Sequence, residues 1–225
     1  MKHSSQIRHV IFDWNGTLVD DLALAVRGMN AVRELQMLPP MNAELYRQHF
    51  GFPIRSFYQA LGIDCESALF DELIRTYLGI FNRDIGTCAL HTGALGMIND
   101  LRAQNITVSV LSASQQHTLE SNLNSAGIHH LVDHVYGLTD TWAMGKGDIA
   151  LQLDNLLGKP GSSALMIGDT DHDIEVALQC GWQVASVSHG HQTSERLRSI
   201  HDHVYTDLPS VHRAWFTPFK EELPC

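Results

Sequence analysis

The chain has 225 residues, 44% of them hydrophobic and 18% charged, and a formal net charge of -10. That length carries one sizeable core, or a core with a small second domain. The acidic balance, without a basic stripe, excludes a nucleic-acid backbone as partner and leaves small anions open. The cysteines Cys65, Cys88, Cys180 and Cys225 have no paired spacing and read as free thiols, and no apolar run has the length of a leader or a membrane span. A cytoplasmic protein with no membrane partner is therefore expected.

Ile7 to Phe12 is the first predicted strand, and it ends in Asp13 before the chain turns through Asn15 and Gly16 beside Thr17. From Asp21 to Leu38 the apolar spacing fits a helix, stopped by Pro39-Pro40. Met41 to Cys88 holds short helical patterns and most of the aromatic residues, which predicts a small helical domain with its own satellite core. The expected division is an α/β core of residues 1–20 and 89–225 with an inserted helical unit of 21–88. Asp20-Asp21 and Cys88 to Thr92 are the expected hinges. Phe52, Arg55, Phe57 and Tyr58 are candidate lining residues, with Arg55 suited to a substrate carboxylate or second phosphate and equally to a surface salt bridge.

From Leu90 the pattern alternates. Helices are predicted over His91 to Ala103, Gln115 to Ala126, Lys146 to Leu156 and Asp173 to Cys180. Strands are predicted over Ile106 to Leu111, ending at Ser112, and over Val132 to Tyr136, Ala164 to Ile167, Gln183 to Val187 and Val204-Tyr205. Such alternation implies right-handed crossovers, a mostly parallel sheet covered by helices on both faces, and a ligand site beyond the carboxyl ends of the strands.

Three strand ends carry polar residues: Asp13, Ser112 and Asp169. Adjacent carboxylates repel unless a cation lies between them, and hard oxygen donors suit Mg²⁺. Asp173 opens the next helix and can hold a metal-bound water or a lysine. Lys146 can neutralise both carboxylates and phosphoryl oxygens, and Asp13 can be ligand and nucleophile at once. Ser112, Thr17 and backbone N–H groups near Asn15, Gly16 and Ala113 can cradle a phosphate. Singly, each has a plainer reading: Asp13 as a turn former, Ser112 as the cap of the next helix, Lys146 as a solvated side chain. Gly190, flanked by His189 and His191, follows a core strand and can border the site.

Together these residues resemble the haloacid dehalogenase-like hydrolase superfamily, in its phosphoglycolate-phosphatase-like branch with a helical cap. Asp13-Trp14-Asn15-Gly16-Thr17-Leu18-Val19-Asp20 is similar to the first family motif, and Val110-Leu111-Ser112-Ala113-Ser114 to the second. Lys146 is the best candidate for the third, and Gly168-Asp169-Thr170-Asp171-His172-Asp173 is similar to the fourth. The resemblance implies a Rossmann-like core and hydrolysis of a small phosphorylated metabolite through an aspartyl-phosphate on Asp13. It also implies Mg²⁺ held by Asp13, the Asn15 backbone carbonyl and Asp169, with Asp173 in support. The chain is expected to act as a monomer or homodimer.

Asn15 departs from the pattern, because family phosphatases carry there an aspartate that relays the proton. An amide has no titratable proton, and general acid–base help is worth about 10²–10⁴-fold. A slow enzyme, or one limited to good leaving groups, is therefore expected, and Asn15→Asp is expected to raise turnover on alkyl phosphates. His172 and His117 are the nearest substitute proton donors in sequence, and Asp171 shares the loop of His172. The alternatives are a phosphate-binding member with a regulatory role and a metal-independent dehalogenase. The dehalogenase has no need of the acidic cluster. Phosphonate cleavage through a cap lysine is disfavoured, since residues 21–88 contain no lysine.

Overall fold

The computed structural model describes residues 7–65, 70–139 and 145–216. Among these, six strands form one parallel sheet in the order β3-β2-β1-β4-β5-β6. They are β1 (His9–Phe12), β2 (Thr107–Gln115), β3 (His134–Leu138), β4 (Ala164–Gly168), β5 (Gln183–Val187) and β6 (Val204–Tyr205). β1 lies between β2 and β4, with Phe12 opposite Val110 on one side and Ile167 on the other. The residues that follow Phe12 and Ile167 therefore emerge at the same edge, beside the end of β2.

Successive residues of a strand face opposite sides of the sheet, and the core divides accordingly. Val10 and Phe12 pack with α5 (Ala94–Ala103), α6 (Gln116–Ser125) and α10 (Leu208–Trp215). Ile11 packs on the other side with α7 (Lys146–Leu156), α8 (Asp171–Cys180) and α9 (Ser194–Arg198). A third cluster is built from α1 (Leu22–Leu35), α2 (Ala43–His49), α3 (Ile54–Ala60) and α4 (Phe70–Asp84), around Met29, Tyr46, Phe57 and Tyr58. These four helices form a cap joined to the sheet by two strands of backbone that run side by side. Asp20 N–H donates to the Ala89 carbonyl at 2.9 Å, and His91 N–H to the Leu18 carbonyl at 2.8 Å.

Local chemistry explains where element ends differ from the sequence reading. Helix α1 stops at Leu35 rather than Leu38, because Met37 takes φ 54° and Leu38 precedes a proline. Helix α5 starts at Ala94 rather than His91, since Gly93 sits at φ 85°. Strand β2 runs past Ser112 to Gln115, with an irregularity between Leu111 and Gln115 in its pairing with β3. Helix α8 begins two residues early, at Asp171, because Asp173 at its third position accepts a hydrogen bond from Thr170 N–H at 3.0 Å. Helices α9 and α10 have no counterpart among the predicted elements. No described helix is long and apolar enough to cross a membrane.

Candidate active site

Asp13, Asp169 and Asp173 meet at the rim where β1 and β4 end, each offering an oxygen within 4.8 Å of the others. Asp169 and Asp173 are fully buried, whereas Asp13 keeps 7% of its surface exposed, which makes it the one carboxylate of the three that a substrate can reach. Lys146 opens α7 from below. Its Nζ donates to Asp13 Oδ1 and to Asp173 Oδ1, each at 2.5 Å. Asp173 turns its other oxygen to Asp169 N–H (3.2 Å), Thr170 N–H (3.0 Å) and the Thr170 hydroxyl (2.7 Å). With both oxygens so engaged, Asp173 holds Lys146 and the loop of Asp169 in place.

The electrostatics follow from three buried carboxylates facing one ammonium. Burial pushes the Asp13 carboxyl up. Lys146 opposes that, Asp173 and Asp169 add to it, and the net value is about 8. Burial also raises Asp169, against the charge of His191, to about 6. Burial would neutralise Lys146, yet Asp13 and Asp173 outweigh it and hold the ammonium charged. Asp173 moves down instead, because Lys146 and the Thr170 hydroxyl overcome its desolvation. With all three carboxylates ionised, the cluster is short of positive charge by two units, and its donors are hard carboxylate oxygens. That set fits a divalent cation of the Mg²⁺ type.

The first loop is braced from within. The Thr17 hydroxyl donates to Asp169 Oδ1 at 2.8 Å, and Gly16 N–H donates to Asp21 Oδ1 at 2.8 Å while also lying 3.0 Å from the Val19 carbonyl. The sequence reading has both groups facing an anion. The structure instead engages the Thr17 hydroxyl and the Gly16 N–H in holding Asp169 and the turn. Gly16 takes φ 72°, and a Cβ there would lie 2.3 Å from both Asp169 Oδ2 and His191 Cδ2. Ser112 is buried on β2 and its Oγ accepts from Ser114 N–H at 3.1 Å, while Ala113 is exposed. Asn15 is half-buried. Its Nδ2 donates to Asp21 Oδ2 at 2.8 Å, and its Oδ1 accepts from the Ser114 hydroxyl at 3.0 Å.

Other candidates fall away from this centre. Arg55 donates to the Cys65 carbonyl and covers the Phe70 ring at 4.1 Å, so its guanidinium is used inside the cap. Phe57 and Tyr58 are buried in the cap core, whereas Phe52 is 44% exposed and its ring lies 4.9 Å from that of His172. Burial lowers the His172 imidazole from its usual value. His117 is exposed, with its ring beside the Thr118 hydroxyl. Asp171 pairs with Arg196 at 2.5 Å and accepts from Gln192, an attachment on the flank of the site. The Cys65 thiol donates to the Ile63 carbonyl at 3.5 Å, Cys88 and Cys180 are free thiols, and Cys225 lies outside the described residues.

Position 190 does border the site: a Cβ on Gly190 would fall 2.2 Å from Asp169 Oδ2. The histidines on either side differ. His189 stacks on His91 with centroids 3.7 Å apart, and burial together with that neighbour lowers its imidazole to about 4. His191 is buried, donates its backbone N–H to Asp169 Oδ2 at 2.6 Å, and places Nε2 3.0 Å from Asp21 Oδ1. Burial opposes its charge, but Asp21, Asp169 and Asp13 lift it to about 9. Its Nδ1 reaches the Tyr46 hydroxyl on α2 at 3.1 Å. The cap is further tied down where Arg196 and Gln192 donate to the Phe50 carbonyl at 2.8 and 3.0 Å. Ser114 and Tyr46 have no assigned role in the sequence reading, and Asp21 is expected there only as part of a hinge. The doubled acid Asp20-Asp21 at a helix start is the available signal.

Comparison with known proteins agrees with this architecture. The family model described as haloacid dehalogenase-like hydrolase matches residues 10–187. A probable phosphatase IndB of Dickeya dadantii is 28% identical over 205 residues, covering 88% of each chain. A phosphoglycolate phosphatase of Synechococcus elongatus is 24% identical over 193 residues, covering 84% of this chain and 87% of the relative. Among solved structures, a haloacid dehalogenase-like family hydrolase from Streptococcus pneumoniae shares the fold, with a TM-score of 0.79 at 21% identity over 96% of this chain and all of that one (100%). With strand-end carboxylates, lysine and cap in this arrangement, the chain belongs to the haloacid dehalogenase-like hydrolases.

Proposed function

We propose that this protein hydrolyses the phosphate ester or acyl phosphate of a small metabolite through a covalent intermediate on Asp13. The observation that carries the reading is the partly exposed Asp13 carboxylate, set against Lys146 beside two fully buried carboxylates. Asp13 attacks phosphorus, the bond to the leaving oxygen breaks, and the phosphoryl group stays on Asp13 as an acyl phosphate. Water then cleaves that acyl phosphate, releasing inorganic phosphate and restoring the carboxylate. Lys146 spreads positive charge over Asp13 and the transferring oxygens, and Asp173 fixes the lysine. Asp13, Asp169 and the Asn15 backbone carbonyl would hold Mg²⁺, which supplies the charge the cluster lacks and keeps Asp13 ionised near neutral pH. Ser112 and Ala113 border the phosphate from β2.

Asn15 carries no transferable proton, so leaving groups that depart as stable anions are favoured: acyl and aryl phosphates over alkyl ones. The cap, docked through Tyr46 and Phe50, limits the substrate to a small molecule and excludes bulk water. The test is phosphate release with and without Mg²⁺ across alkyl, aryl and acyl phosphates, with Asp13→Asn as blank. Metal-dependent release that vanishes in the blank, and that rises as the leaving group becomes more acidic, is expected. Release that survives in the Asp13→Asn protein, or that is absent from every class, overturns the reading.

A further inference from the structure

The reaction proposed above makes no use of Asp21, although this carboxylate is fully buried at the start of α1. Three donors surround it. Gly16 N–H and His191 Nε2 meet Oδ1 at 2.8 and 3.0 Å, and Asn15 Nδ2 meets Oδ2 at 2.8 Å. A carboxylate offers only acceptors here, so the Asn15 amide has a single orientation, nitrogen toward Asp21 and oxygen toward the Ser114 hydroxyl. Asn15 is therefore aimed by its partner.

Resting on the hydrolytic reading for its role in catalysis, we infer that Asp21 is a positioning residue that fixes the Asn15 amide over the Asp13 site and makes an amide, rather than a carboxylate, obligatory at position 15. An aspartate at 15 would set an acceptor oxygen against Asp21 Oδ2 at the 2.8 Å now spanned by an N–H donor, with no donor between them while both are ionised. Buried acceptors that face each other without a donor are destabilising. The exchange of both residues removes the conflict. In Asn15→Asp with Asp21→Asn, the amide oxygen introduced at position 21 still accepts from Gly16 and His191. The amide nitrogen there donates to the carboxylate introduced at position 15, which still accepts from Ser114. Asn15→Asp alone sets two acceptors in contact, whereas in Asp21→Asn alone the Asn15 amide can turn its oxygen to position 21 and its nitrogen to the Ser114 hydroxyl. The pair restores the wild-type arrangement with the polarity reversed. The gain on alkyl phosphates expected from Asn15→Asp by sequence alone is therefore withdrawn for the single variant and belongs to the double one.

The experiment is a double-mutant cycle on the full chain: wild type, Asn15→Asp, Asp21→Asn, and both together. The thermal midpoint is read without substrate, and kcat and KM are read on an aryl and an alkyl phosphate. Asn15→Asp alone is expected to lose about 5 °C or more and to fall roughly tenfold in kcat at near-constant KM, Asp21→Asn alone to lose less, and the double variant to lie well above the Asn15→Asp midpoint. On the alkyl phosphate the double variant is expected to exceed wild type by about tenfold or more, since position 15 then holds a carboxyl group that can take up and return a proton. Additive midpoints, or a single Asn15→Asp protein as stable as wild type and as fast as the double variant, overturn the inference. Coupled midpoints with no Asp13-dependent release in any of the four proteins support the placement of Asp21 while removing the hydrolytic reading.

Discussion

Lys146→Met tests the charge balance of the site most directly. The exchange keeps a long unbranched side chain and removes the ammonium that meets Asp13 and Asp173 at 2.5 Å each, in a position only 5% exposed. Removing one partner of a buried ion pair costs about 3–5 kcal/mol, because the other is left uncompensated. For a domain of this size each kcal/mol moves Tm by roughly 2–4 °C, so a fall of about 6–20 °C is expected in EDTA. The pH dependence is more specific. Asp13 already sits at about 8 in the folded protein, above its ordinary value of 3.8, so its contribution to stability is complete at acid pH and declines as pH rises toward 8. In wild type the decline ends once Asp13 ionises beside Lys146. In the variant the folded carboxyl lies higher still and the decline continues. The Tm deficit should therefore widen from pH 5 through pH 7 to pH 9, as first Asp173 and then Asp13 ionise without the ammonium that offsets their charge. Differential scanning calorimetry at the three values reads it, and turnover should drop about 10²–10³-fold. A deficit under about 2 °C, or one that narrows at pH 9, would refute Lys146 as the counter-charge of Asp13.

Asp13→Asn should act oppositely on stability while abolishing turnover. At pH 9 in EDTA it removes a buried carboxylate whose ionised form the fold disfavours, and Lys146 keeps Asp173, so Tm should rise by a few degrees. A lower midpoint at that pH contradicts the account. Gly190→Ala should weaken Mg²⁺ binding at least about tenfold, because its Cβ falls 2.2 Å from Asp169 Oδ2 and 2.5 Å from the Gly16 carbonyl, and overpacking of this kind costs about 1–3 kcal/mol. Titration calorimetry measures it, and an unchanged affinity in a folded variant would mean that the loop yields without moving Asp169.

The parts of this molecule that are legible in the sequence are those whose signal is local. Asp13 closes an apolar strand, Lys146 begins α7 at the predicted residue, and Gly181 ends α8 in the left-handed conformation that its position suggests. Helix α10 is legible in principle, since Asp207 caps it by accepting from Ser210 N–H and Pro209 lies in its first turn, but the run is short and its apolar face narrow. The surroundings of Asn15 cannot be read this way. Asp21 follows an exposed Asp20, and nothing in the pair says which carboxylate turns inward. The choice is made by His191, 170 residues further along, and by a hydroxyl on β2 brought beside the first loop by the parallel pairing of β1 and β2. A buried acid is stable only where donors already converge, so its role is a property of the assembled rim. Position 15 therefore cannot be interpreted alone. The same amide would be a simple loss of a proton carrier beside a neutral residue at 21. Beside a buried carboxylate it is the donor that carboxylate requires.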